Sequence, residues 1–173
     1  MSHDKYADVN RLDVKLAEEM VYRALLKHRS WEVEDCRRFH VSWDFRFKFG
    51  QRFWTLDVKL DSWFERTDNV VFEEVHRFAD GTERPGWGWN TELDYLAIVG
   101  CSMTAAHIVR LQTLRDYITR EREFGTPCRW NPTSPWNVQG FHTHGYAIPR
   151  SELLTSGVMA MTLPLQPIPA EAA

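Results

Sequence analysis

The sequence predicts a single α/β domain in which a mixed central β-sheet is flanked by helices. Three observations predict it. Two segments of alternating apolar and polar residues, Trp43 to Phe49 and Phe53 to Asp61, flank Gly50-Gln51. A continuous apolar run follows from Leu93 to Val99, which suits a buried strand. Helical spacing opens the chain and returns after that run. Helices and strands mixed in this order argue for a sandwich built around one sheet.

The elements follow in order. Asn10 is placed to cap a helix from about Arg11 to Lys27. At ~100° per residue, Leu12, Leu16 and Leu26 share a stripe, with Glu19 inside it and Glu18 well off it. The alternating segments then form a hairpin whose Gly-first turn has the type II′ pattern. A third strand spans Asn69 to Val75. The stretch from Asp80 to Asn90 reads as a loop because it holds Gly81, Pro85, Gly86 and Gly88. A second long helix covers Thr104 to Glu123, with Ile108, Leu111, Leu114 (or Arg115) and Ile118 as its stripe. Pro127 to Gly140 is irregular, Gly145 to Ile148 forms a short strand, and Ser151 caps a short helix through Leu154. Residues 1–161 make the domain, and the proline-rich 162–173 make a flexible or extended tail.

Bulk composition narrows the function classes. With 43% hydrophobic and 26% charged residues, the chain folds rather than staying disordered. No apolar run approaches the ~20 residues of a membrane span, and the first ten residues lack an apolar signal region, so a cytoplasmic protein is expected. Cys36, Cys101 and Cys128 form no C-x-x-C pair and read as free thiols. The net charge of -3 excludes nucleic-acid binding by bulk charge, so a DNA-binding role needs cations gathered on one face.

The segment SWDFRFKFGQRFWTLDVKLDS carries the chemistry. With the turn at Gly50-Gln51, Phe49 faces Arg52 and Asp44 falls opposite Asp57. Phe45, Phe47, Phe49, Leu56, Val58 and Leu60 line one face, and Asp44, Asp57 and Lys59 share the other. Two carboxylates with Cβ atoms ~5 Å apart repel by on the order of 3 kcal/mol at an effective dielectric of 20. A hard divalent cation such as Mg²⁺ relieves that repulsion, and it commonly uses one or two carboxylates plus waters. Lys59 on the same face can then hold a water or neutralise developing phosphate charge. From spacing alone a second reading stands beside this one: a solvated polar face on which Lys59 offsets two aspartates.

A helix with an inward glutamate, an aspartate on one strand and D-x-K on the next resembles the PD-(D/E)XK nuclease superfamily. LDVKLDSWFERTDNVVFEEV, GWGWNTELDYLAIVG and the late GYAIPRSELL are similar to a branch of small phage-type or mobile-element nucleases. The resemblance covers about Leu12 to Leu154. It implies a restriction-endonuclease-like fold and a Mg²⁺- (or Mn²⁺-) dependent DNA endonuclease or structure-selective DNA nuclease, in the cytoplasm of a bacterium or phage-infected host. Asp44 and Asp57 then bind metal, Lys59 positions the nucleophilic water, and Glu73 and Glu19 match acidic positions near the metal. Trp43 stands where a proline is usual, and Asp57 where Glu is commoner. The superfamily also holds members that have lost activity and serve as binding or assembly subunits.

Arg46, Lys48 and Arg115 are the candidate phosphate contacts, the alternative being an ordinary solvated surface. DNA is the expected partner, with a homodimer as a further expectation and no membrane. His142 and His144, with Cys128, offer zinc-type ligands but lack a complete set at suitable spacing. Loop histidines beside a substrate groove are the preferred reading.

Overall fold

The computed structural model describes residues 4–28, 30–39, 41–61, 64–89, 92–123, 130–132 and 141–168, and only the backbone of 4–12, 130–132 and 141–143. Helix α1 (Asp4–Leu26) leads into strands β1 (Glu32–Asp35), β2 (Phe45–Phe49) and β3 (Arg52–Leu60). The short helix α2 (Phe64–Thr67), β4 (Asn69–Phe78), β5 (Glu83–Pro85) and a 3-10 turn (Trp87–Trp89) come next. Then follow β6 (Tyr95–Val99), β7 (Ala105–Arg110), α3 (Leu111–Glu123), β8 (Trp130–Pro132), β9 (Phe141–Pro149), α4 (Arg150–Thr155) and β10 (Met159–Pro164).

The expected mixed sheet is present, with six strands in the order β1-β2-β3-β6-β7-β10. Among its described strands only β3 and β6 pair in parallel. The crossover between them carries β4 and β5, which belong to a second, four-stranded sheet ordered β5-β4-β9-β8. Because side chains alternate along a strand, the central sheet feeds two cores. Phe45, Phe47, Leu56, Val58, Ala97 and Val99 pack against Ala17, Met20, Val21, Ala24 and Leu25 of α1. On the opposite face, Leu96, Ile98 and Val109 pack with Leu111, Leu114 and Ile118 of α3 and with Val70, Phe72, Tyr146 and Ile148 of the second sheet. Asp57 and Lys59 alternate with Val58 and so belong to the face that meets the second sheet.

Several expectations are corrected. Helix α1 starts at Asp4, so Asn10 lies inside it and caps nothing; its side chain, like that of Leu12, lies outside the described residues. Leu16 and Leu26 are 41% and 51% exposed, and the buried stripe runs roughly on the opposite side of the helix, where two alanines allow close approach to the sheet. Ala105–Arg110 is a strand, not the first turns of a helix. Ala106 and Ile108 feed one core and Val109 the other, so the apolar pair Ile108-Val109 breaks the alternation that marks a half-exposed strand. Helix α4 begins after Pro149, without a side-chain cap from Ser151. Residues 162–164 pair with β7, and Leu163 and Leu165 are buried in the α1 core, so this part of the expected tail belongs to the domain. Residues 169–173 lie outside the described residues. No described helix is long and apolar enough to cross a membrane.

Candidate active site

The hairpin register matches the sequence expectation from Phe49↔Arg52 back to Phe45↔Leu56. Gly50 has φ +65°, and among the described non-glycine residues only Asp68 and Met103 take positive φ. One left-handed residue at the first turn position is what a type II′ turn requires. The ladder then stops one pair short of Asp44. The Asp44 N–H donates to the Leu56 carbonyl at 3.0 Å, the carbonyl of Phe45's own partner. Asp44 also reaches β3 through its side chain: Oδ2 accepts the Val58 backbone N–H at 2.7 Å. Its carboxyl lies in the field of Asp57.

Burial pushes the Asp44 carboxyl up to about 7, and the neighbouring charge of Asp57 adds to this, while the Val58 N–H acts against it. Asp44 so placed keeps its proton toward neutral pH, because burial and the neighbouring negative charge both disfavour its ionised form. Lys59 Nζ lies 2.7 Å from Asp57 Oδ2, with 44% of the lysine side chain exposed and 15% of the aspartate. Burial disfavours the ammonium, but the carboxylates of Asp57, Glu73 and Asp44 outweigh it and hold Lys59 protonated above its ordinary range. The arrangement is thus two neighbouring carboxyl groups with a cation paired to Asp57, opening to solvent on the lysine side.

Glu73 approaches from β4 in the second sheet. Burial raises its carboxyl; Lys59 opposes that shift and Asp61 adds to it. His76 Nε2 lies 3.8 Å from Glu73 Oε2. The helix glutamate needs correcting. Glu19 bonds Arg23 at 2.8 Å and Arg37 at 3.1 Å, tying α1 to the Asp35–Arg37 pair after β1. Glu18 is the α1 carboxylate in the field of Asp57 and Lys59; burial raises it first, and Asp57 adds to that. The signal that distinguishes the two was the helix phase: the face defined by Ala17, Met20 and Val21 carries Glu18 at its flank.

Asp44 and Asp57 supply hard oxygen donors suited to Mg²⁺ or Mn²⁺. Among the described residues no group of three His, Cys, Asp or Glu side chains comes together to hold an ion. Glu73 therefore stands apart from the pair, and waters would complete the coordination of a cation there. The zinc grouping is not assembled among the described residues either. His144 is partly buried on β9 opposite Val75, and Cys128 and the His142 side chain lie outside the described residues. Cys36 is buried and Cys101 exposed, both as free thiols.

The candidate phosphate contacts fare unequally. Arg46 and Lys48 share one face of β2, but each is paired with β1: Arg46 with Glu34 at 2.5 Å and Lys48 with Glu32 at 3.1 Å. Arg115 is 8% exposed and donates from Nε to the Gly88 carbonyl at 2.7 Å, so it is a structural clamp inside the fold and not a surface contact. The sequence reading also missed Asp94. Its carboxylate accepts the Thr55 N–H at 3.0 Å, and its own N–H donates to Thr55 Oγ1 at 2.9 Å, which fixes the start of β6 beside β3.

No protein-family model and no curated protein matches the sequence. Among solved structures, the chain is similar to a bacterial homing endonuclease, I-Ssp6803I, with 18% sequence identity and a TM-score of 0.47 over 62% of this chain and 72% of that one.

Proposed function

We propose that the protein is a Mg²⁺- or Mn²⁺-dependent DNA endonuclease acting through Asp44, Asp57 and Lys59. The observation that supports it is the Asp44 carboxyl held by the Val58 N–H in the field of Asp57, with Lys59 2.7 Å from Asp57 and open to solvent. In this reading Asp44 and Asp57 would hold a divalent cation through their carboxylate oxygens, with Asp44 giving up its proton on binding. The cation supplies Lewis-acid charge and lowers the pKa of water at the site. Asp57 anchors the Lys59 ammonium, which orients a water for attack and offsets the charge that develops on the phosphate. Asp44 keeps its position through the Val58 N–H, so the pair is set before substrate arrives.

The test is incubation with plasmid, linear, single-stranded and branched DNA, with Mg²⁺ or Mn²⁺ and with EDTA. Metal-dependent cutting that is lost in Lys59→Ala supports the reading. Cutting no greater than that of Lys59→Ala on every substrate overturns it, and leaves a nuclease-like scaffold that binds DNA or assembles with other proteins.

A further inference from the structure

The two faces of the β2–β3 hairpin are covered unequally. Phe45, Phe47, Leu56 and Val58 point into the α1 core. Alternation then puts Arg46, Lys48, Phe53 and Thr55 on the other face, in line with Asp57 and Lys59. Among the described residues, the core on that second face takes Leu96 and Ile98 from β6 and Val109 from β7, and none from β1, β2 or β3. The hairpin end of the face therefore lies outside the core and leads along β3 to the candidate site.

Phe53 is the aromatic residue on this open face, and it is 48% exposed. It pairs with Lys48 in the ladder, and Lys48 Nζ lies 5.5 Å from the centre of its ring. The Arg46 guanidinium carbon lies 4.7 Å from the same centre. One exposed ring is thus flanked by two cations. Their present counter-ions are carboxylates of the edge strand, Glu34 for Arg46 and Glu32 for Lys48, and both are open to solvent, so a phosphate can replace them. Phe53 and Asp57 are four residues apart on β3, which is ~13 Å at ~3.3 Å per residue. That is the length of about four stacked nucleotides at ~3.4 Å each.

A ring beside cations suits a nucleic-acid strand, because every base has a π-face that can stack and the cations meet the flanking phosphates. A duplex keeps the faces of its bases inside its own stack, so the ring is useful only to an unpaired base. We propose that Phe53, flanked by Arg46 and Lys48, is a stacking platform for a base of a single-stranded DNA segment that runs along β3 to Asp57 and Lys59. This deepens the nuclease reading and rests on it for cutting, whereas the binding is measured without cutting. The substrate is then DNA with an unpaired stretch, and the scissile phosphate lies a few nucleotides from the stacked base.

The experiment measures binding in EDTA by fluorescence anisotropy, with a single-stranded oligonucleotide and the duplex of the same sequence. The wild type is expected to prefer the single strand. Phe53→Leu is expected to weaken single-strand binding tenfold or more and duplex binding by less than about twofold. Phe53→Tyr keeps the ring and is expected to stay within about twofold of wild type on both. A single strand carrying 2-aminopurine gives a second readout: its emission is expected to fall on binding wild type or Phe53→Tyr, and not on binding Phe53→Leu. Should Phe53→Leu fail to fold, Phe53→Thr, a strand-forming residue without a ring, is read in the same way. Equal weakening on single strand and duplex, or none on either, overturns the proposal. Lost thermal stability with unchanged single-strand affinity also overturns it, and leaves Phe53 as a cross-strand partner of Lys48. A change of oligomeric state in sedimentation with unchanged DNA binding overturns it in favour of a contact with a second copy of the chain. If the wild type binds single strands through Phe53 but cuts none with Mg²⁺ or Mn²⁺, the nuclease reading fails and the platform stands. If the wild type cuts DNA and Phe53→Leu binds and cuts as it does, the platform fails and the nuclease reading stands.

Discussion

Asp44 is joined to Val58 by a side-chain hydrogen bond of 2.7 Å at the point where backbone pairing between β2 and β3 ends. The bond anchors one oxygen of a carboxyl that would otherwise swing away from Asp57. It also means that the acid pair is built into the hairpin and not borrowed from a mobile loop.

The first prediction follows from that pair. The Asp44 carboxyl is raised to about 7 in the fold, against an unfolded value near 4. The folded protein therefore holds the proton more tightly than the unfolded chain. Its contribution is favourable below about pH 4 and is lost as pH rises from about 4 to about 7. Asp44→Asn removes this titration, while its amide oxygen still accepts the Val58 N–H. The variant is expected to match or exceed the metal-free wild type by ~1 kcal/mol at pH 8 after solvent screening. Mn²⁺ is expected to raise the wild-type melting temperature and to leave the variant nearly unchanged. Thermal melts at pH 5 and pH 8, with EDTA and with Mn²⁺, check both statements. A clear loss of stability in metal-free Asp44→Asn, together with no metal response in either protein, would assign Asp44 a purely structural role.

The second prediction concerns the C-terminal strand. Leu163 and Leu165 are 2% and 7% exposed, and the Leu165 N–H donates to the Thr104 carbonyl at 2.9 Å. Leu163→Ala is expected to cost about 2–5 kcal/mol, in the range for a buried leucine. Truncation after Met161 is expected to cost more, since it also removes the last pairs of β10 with β7. Urea denaturation of both variants measures this. A midpoint within error of wild type for the truncated chain would show that β10 does not dock in solution.

The hairpin was legible because its information is local. A glycine at a two-residue turn sets the register, and period-two alternation sets the faces, so Phe45 through Leu60 could be placed without any other part of the chain. The parts that failed depended on tertiary context. Ala105–Arg110 has apolar residues on both sides, and only its place between β6 and β10 makes it a strand. Leu16 and Leu26 outweighed Ala17 and Ala24 in the helical stripe, although alanines are what permit α1 to lie close on the sheet. The same phase error moved attention from Glu18 to Glu19. The G-W-G-W segment and Gly145 carried a signal of their own, but the close packing of those glycines on β4 appears only in three dimensions.

The third prediction addresses DNA affinity. If Arg46 and Lys48 touch phosphate, each must leave its carboxylate on β1. Glu32→Gln with Glu34→Gln releases both cations and is expected to tighten DNA binding severalfold at low salt. Wild-type affinity is expected to fall steeply with salt as counterions are released. Arg46→Ala with Lys48→Ala is expected to weaken binding and flatten the salt slope by up to about 2 units. Fluorescence anisotropy across a salt series measures all three. Unchanged affinity in both double variants would place the contact surface elsewhere.

The last prediction uses two neighbouring residues on α1 that the fold sends to different places. Glu19 joins Arg23 and Arg37 and has a side chain 31% exposed, so its contribution to stability is modest. Glu19→Gln is expected to cost about 1 kcal/mol and to leave DNA cleavage unchanged. Glu18 lies in the field of Asp57 and Lys59, and its charge is one of the causes that raise the Asp44 carboxyl. Glu18→Gln removes that negative charge, so Asp44 ionises at lower pH and the acid limb of the rate profile is expected to move down in pH. Because burial raises the Glu18 carboxyl itself, removing its charge is expected to stabilise the metal-free protein slightly or leave it unchanged. The two variants thus separate along opposite axes, one losing stability without a change in rate profile, the other changing the profile without losing stability. Thermal melts and pH–rate profiles of both proteins read this directly. A shifted profile in Glu19→Gln with none in Glu18→Gln would return the site role to Glu19 and show that α1 sits in a different rotation about its axis.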